Sequence, residues 1–137
     1  MATRSTISRV NEDNSVDTIY CHWDGYPTCV GNYLYFNYNT PQIVDKLIGL
    51  GGISSLRKYL EKDSTNSEDD VTIAYHRDLN DDDLETIHYN SIDEYHNDIN
   101  NKQEWNYLYK KGNWYVSKGI SNKFSKLSKY FINKTKF

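Results

Sequence analysis

Cysteine, proline, methionine and arginine are all scarce in this chain of 137 residues. Two cysteines occur (Cys21 and Cys29), two prolines and one methionine. Two thiols can make at most one bridge, and a chain of this length with a core of its own needs none, so a reduced, cytosolic setting is expected. No apolar run approaches the ~20 residues that cross a bilayer, and the first residues carry no signal-peptide pattern, so neither membrane insertion nor export is expected. There is no P-loop and no dinucleotide-binding glycine fingerprint. The four histidines and two cysteines have no zinc-type spacing. Asp78-Leu79-Asn80-Asp81-Asp82-Asp83 opens like a calcium loop. However, Asp83 stands where the tight-turn glycine belongs and Tyr89 where the bidentate glutamate belongs, so no specific metal site is expected.

What the chain has in quantity is aromatic. A mean hydropathy of −0.84 would by itself suggest disorder. Thirteen Tyr, three Trp and four Phe argue for a packed core instead, because a hydropathy scale undervalues the burial a tyrosine ring supplies. The net charge is −3, unevenly spread. Thirteen acids lie between Glu61 and Asp98, against Lys62 and Arg77, and six lysines with no acid follow from Lys118 onward. Such runs mostly form solvated faces. Beyond that, they suggest self-association through complementary patches or a basic tail that meets a polyanion; the acidic middle disfavours a nucleic-acid partner and could instead imitate DNA phosphates.

Hydrophobic periodicity predicts an α+β fold: an antiparallel sheet of about five or six strands, two or three helices on one face, and a short C-terminal helix. Strands are expected over residues 3–10 and 15–23, joined by the Asn11-to-Asn14 turn. A helical turn or two is expected at 31–38. Thr40-Pro41 reads as N-cap and first helical residue of a helix that Gly51-Gly52 ends. A short helix over 54–60, a strand over 71–77 and a return strand over 84–89 follow. Ser91 with Glu94 makes a capping-box pattern for a helix through Ile99. Residues 104–109 and 113–117 pair across Lys110-Lys111-Gly112. Residues 1–117 form one domain, and 118–137 form a basic segment in which Phe124, Leu127 and Phe131 sit at helical spacing.

Chemistry concentrates at Ile19-Tyr20-Cys21-His22-Trp23-Asp24-Gly25-Tyr26-Pro27, a strand running into a turn. His22 and Asp24 offer hydrogen bonds, Trp23 and Tyr26 offer flat faces, and Gly25 and Pro27 re-aim the chain. The blander reading is an aromatic turn that closes one end of the core. Cys21 beside His22 is no catalytic dyad, since successive strand residues face opposite ways. With so few arginines in a Lys-rich chain, Arg4 and Arg77 are candidates for bidentate phosphate contacts, weighed equally against salt bridges to Asp24 or Asp78; Arg9 reads as surface. Two alternate strand faces are marked: Val16, Thr18, Tyr20 and His22 on one, Asp17, Ile19, Cys21 and Trp23 on the other.

Met1-Ala2-Thr3-Arg4-Ser5-Thr6-Ile7 and the Ile19-to-Pro27 block resemble the opening of a group of small phage and prophage proteins. Asn39-Thr40-Pro41, Leu50-Gly51-Gly52-Ile53-Ser54-Ser55-Leu56, Thr72-Ile73-Ala74-Tyr75-His76-Arg77-Asp78 and Trp105-Asn106-Tyr107-Leu108-Tyr109 resemble the same group, covering most of the chain up to Ser117. Within it the chain is similar to the anti-Thoeris sponges. That resemblance implies a homo-oligomeric, non-catalytic binder in the host bacterial cytoplasm, which captures the cyclic ADP-ribose isomer made by TIR enzymes and needs no cofactor. The resemblance transfers no ligand residues. From the residues themselves, the expected ligand-binding set is Arg4, His22, Trp23, Asp24, Tyr26, Arg77 and Asp78, matching a ligand with a diphosphate, two riboses and an adenine. The sequence leaves open whether Arg57 joins it. The alternative from another class is a phage inhibitor that docks on a host defence protein through its acidic surface.

Overall fold

Asn11 closes the first hairpin with its own side chain. Its Nδ2 donates to Ser15 Oγ at 2.9 Å and to Asp17 Oδ2 at 3.0 Å, while Asn14 takes the left-handed conformation at φ 66°. Asparagine is one of the few side chains that tolerates that region. The strands so joined are β1 (Ser5–Val10) and β2 (Val16–Cys21), in antiparallel register from Val10 opposite Val16 to Ser5 opposite Cys21. The structure is a computed structural model, and it describes residues 2–130.

After β2 the chain makes a π-helical turn, Pro27–Gly31, that runs directly into α1 (Asn32–Asn37). Helix α2 (Pro41–Gly49) begins as the sequence predicts, with Thr40 Oγ1 accepting from Ile43 N and Pro41 at the first position. Gly51 then turns the chain at φ 73°, where a Cβ would lie 1.8 Å from the Leu84 carbonyl oxygen. Only glycine fits there. Strand β3 (Ile53–Ser55) follows, where a short helix was expected over 54–60. The reason is tertiary: the Ile53 and Ser54 carbonyls accept from His22 N and Trp23 N, so β3 runs parallel to the end of β2.

The strand expected over 71–77 shrinks to β4 (Ile73–Ala74). Asp78 Oδ2 accepts from Ala74 N at 2.8 Å and curls the chain into the single turn α3 (Tyr75–Asp78). Left-handed Glu85 (φ 57°) delays the next strand to β5 (Ile87–Tyr89), which pairs with β2. Helix α4 (Ile92–Asn97) is capped by Ser91 Oγ, which accepts from Glu94 N at 3.1 Å. Strands β6 (Trp105–Lys110) and β7 (Asn113–Lys118) form the expected hairpin.

Among the described residues the sheet is mixed, not antiparallel, and has eight strands in the order β4-β3-β2-β1-β6-β7-β8, where β8 is Ser125–Lys126, with β5 also on β2. β1 and β6 are parallel, Ser5 opposite Trp105 and Arg9 opposite Tyr109. Side-chain alternation is the same for either direction, so periodicity carried no sign of this. Helices also lie on both faces, not one. Ile7, Ile19, Cys21, Tyr107 and Trp114 pack with Leu34, Val44 and Leu47 of α1 and α2. Val16 and Leu108, on the opposite face by strand alternation, pack with Tyr89 and with Tyr95 of α4.

The expected C-terminal helix is replaced, among the described residues, by strand β8 (Ser125–Lys126) on β7 and a 3₁₀ turn from Leu127. Pairing with β7 splits the predicted stripe. Leu127 is fully buried in the first core cluster, whereas Phe124 packs on the second. Phe131 lies outside the described residues.

Candidate functional site

The turn at residues 22–26 is held from beneath by backbone and core. Gly25 N donates to Thr3 O at 2.8 Å, and the buried Tyr107 hydroxyl donates to Gly25 O at 2.5 Å. With His22 N and Trp23 N bonded to β3, the turn is fixed to three neighbouring segments. Asp24 takes a left-handed φ of 56°, which swings Tyr26 away from the line of the strand. The result leaves two large aromatics in solvent: Trp23 is 45% exposed and Tyr26 40%. Tyr35 and Tyr59 are as exposed elsewhere; what sets Trp23 and Tyr26 apart is that both stand on one firmly anchored turn, where loop residues held by a rigid scaffold can make contacts.

His22 continues the Tyr20 face of β2, as alternation predicts. Tyr20 Oη and His22 Nδ1 lie 2.6 Å apart, and the His22 ring meets Trp23 edge-on, centroids 4.7 Å apart at 88°. Partial burial pushes the Tyr20 phenol up, while the nearby Arg4 guanidinium pulls it back and Glu85 adds to the rise. Arg4 is exposed and forms no ion pair among the described residues, so its guanidinium is available to an anion. On the other side of the turn, desolvation and the Asp24 carboxylate raise the Tyr26 phenol. Arg57 lies within electrostatic reach of both Tyr26 and Tyr33.

Arg77 and Asp78 sit elsewhere, at α3. Arg77 Nε donates to Asp78 Oδ1 at 2.9 Å, Nη1 to Leu60 O at 2.7 Å, and Nη2 to Thr72 O at 2.8 Å and to Asp78 Oδ2 at 3.0 Å. The Arg77 guanidinium beside it holds the Asp78 carboxyl below its ordinary value. This pair is the salt bridge that the sequence reading weighed against a phosphate contact. No hydrogen bond or ion pair joins it to residues 22–26 among the described residues.

The structure thus gathers Arg4, His22, Trp23, Asp24 and Tyr26 around one turn. It adds Tyr20, Glu85 and Arg57, which the sequence reading did not place in the site. Tyr20 was legible, two residues before His22 on one strand face; Glu85 and Arg57 come within electrostatic reach through the tertiary fold, which no local pattern encodes. No family model matches this chain, and no curated protein or solved structure matches it either.

Among the described residues no group of three or more His, Cys, Asp and Glu is placed to hold a metal ion. The Cys21 thiol is fully buried and donates to Trp23 O at 3.6 Å, and burial pushes it up to about 12. At neutral pH it remains a thiol, unlike an activated nucleophile. No described helix is long and apolar enough to cross a membrane.

Proposed function

We propose that the protein is a phage-encoded, non-catalytic binder that sequesters a nucleotide messenger, a cyclic ADP-ribose isomer, and so blocks TIR-based bacterial defence. The observation that carries this reading is the anchored turn with Trp23 and Tyr26 presented to solvent beside the uncommitted Arg4. A purine ring stacks on such a shelf, a diphosphate is met by a guanidinium, and ribose hydroxyls find Asp24 and the Tyr20–His22 pair. Capture needs no nucleophile, in keeping with the thiol form of Cys21. The reading also has the protein act in the host cytoplasm as a homo-oligomer.

Uptake and release test the reading directly. The protein is incubated with the cyclic messenger, desalted, heat-denatured, and the small molecule recovered. Intact release supports sequestration, and a changed product indicates an enzyme. Absence of uptake overturns the reading in favour of an inhibitor docking through its acidic surface. Light scattering on the same sample tests the assembly: a monomer at all concentrations removes that part.

A further inference from the structure

A hollow lies on the opposite side of the sheet from α1 and α2, between α4 and the β6–β7 hairpin. Its volume is about 480 Å³, within the range of small-molecule sites. Ile92 and Leu108 give it apolar walls, and Phe124 and Tyr115 add rings. Phe124 is fixed by neighbours: its centroid lies 5.5 Å from the His96 ring and 6.3 Å from Tyr95. Two adjacent lysines, Lys110 and Lys111, stand at the rim. In a chain of net charge −3, neither makes an ion pair with a described carboxylate. Glu12 and Asp45 share only an adjoining hollow with them, and paired cations beside aromatic walls suit a flat organic anion.

We propose that this hollow binds an aromatic carboxylate, its ring against Phe124 and Tyr115 and its carboxylate at Lys110 and Lys111. The site shares no residue with the Trp23 turn and stands whether or not that turn binds a nucleotide. His96 reports on occupancy. Burial and the Lys102 ammonium lower its pKa, Lys110 adds to that, and Asp93 and a hydrogen bond from the ring to Asn122 oppose it. An anion at the rim adds negative potential beside the ring and raises the pKa.

The test follows the His96 ring proton by NMR from pH 5 to 8 while 2-naphthoate is added, with naphthalene-2-methanol and acetate as the ring-only and anion-only probes. Saturable binding of 2-naphthoate with an upward His96 shift is expected, with at least tenfold weaker binding of either partial probe. Lys110→Gln with Lys111→Asn should weaken it about tenfold. Asparagine suits Lys111, whose φ is 49°. Phe124→Leu keeps the wall apolar and removes the ring, and should weaken binding as well. Three results overturn the site: 2-naphthoate leaving His96 unmoved, equal binding of naphthalene-2-methanol, or full affinity in the double-lysine variant. Trp23→Ala is expected to leave 2-naphthoate binding intact; its loss there would place the probe at the turn instead and also overturn the proposal.

Discussion

Gly25 has no room for a side chain: a Cβ would lie 2.7 Å from Ser5 Cβ and 2.8 Å from Thr3 O. The turn that carries Trp23 and Tyr26 is therefore packed at its base and open at its rim, and the two ends should respond differently to substitution. Trp23→Ala removes a half-exposed ring, so the melting temperature should hardly move while binding of the proposed cyclic nucleotide falls about tenfold, the range of a lost stacking contact of roughly 1–3 kcal/mol. A large drop in melting temperature would instead make Trp23 part of the core. Tyr107→Phe does the reverse. It deletes the hydroxyl that holds Gly25 O, leaving a buried acceptor unpaired, and should cost about 1–3 kcal/mol in chemical denaturation.

At the scale of elements, Arg77 behaves as a clamp. It ties α3 to the Leu60 and Thr72 carbonyls, on two segments that the Tyr59–Val71 bridge already holds side by side. Arg77→Ala should lower the denaturant midpoint, and its cost should shrink in acid. The sign follows from Asp78, whose carboxyl titrates below its ordinary value when folded. Its contribution is present above that ordinary value and is lost as pH falls through the folded one. Unchanged stability at pH 7 combined with weakened nucleotide binding would return Arg77 to the ligand site. This division was half legible. The β1–β2 and β6–β7 hairpins, the Thr40 and Ser91 caps and the Gly51 stop all come from local chemistry, and the sequence predicts each of them. The parallel pairings and the conversion of residues 53–55 to a strand depend on neighbours more than thirty residues away, and the splitting of Phe124 from Leu127 depends on pairing with β7; periodicity records neither. For the site, strand alternation placed His22 with Tyr20, but which arginine stays uncommitted became readable only when Arg77 was seen bonded to two carbonyls.

For the whole molecule, the tyrosine-rich core makes base a stronger denaturant than usual. Burial raises the Tyr38 and Tyr95 phenols from 10.0 to about 12. A group whose folded pKa exceeds its unfolded one stabilises the fold fully below the unfolded value and loses that contribution as pH climbs through the folded value. Stability should therefore be steady through pH 9 and fall between about pH 10 and 12. Guanidinium midpoints across that window, with tyrosinate absorbance as the second probe, check it. Tyr38→Phe should flatten the decline, because the phenol that donates to Arg57 O at 2.6 Å is no longer there to ionise.

The parallel pairing of β1 with β6 has a consequence in time. β1 lies between β2 and a partner a hundred residues later, as the Thr6–Asn106 bond spans. During synthesis β1 waits with one edge open until β6 has left the ribosome. A sheet closed by so distant a contact forms slowly, because the loop must close before any pairing rewards it. Refolding should therefore fall in the millisecond-to-second range rather than in microseconds, and a nascent chain halted before residue 105 should present an unpaired strand to chaperones or to its own copies.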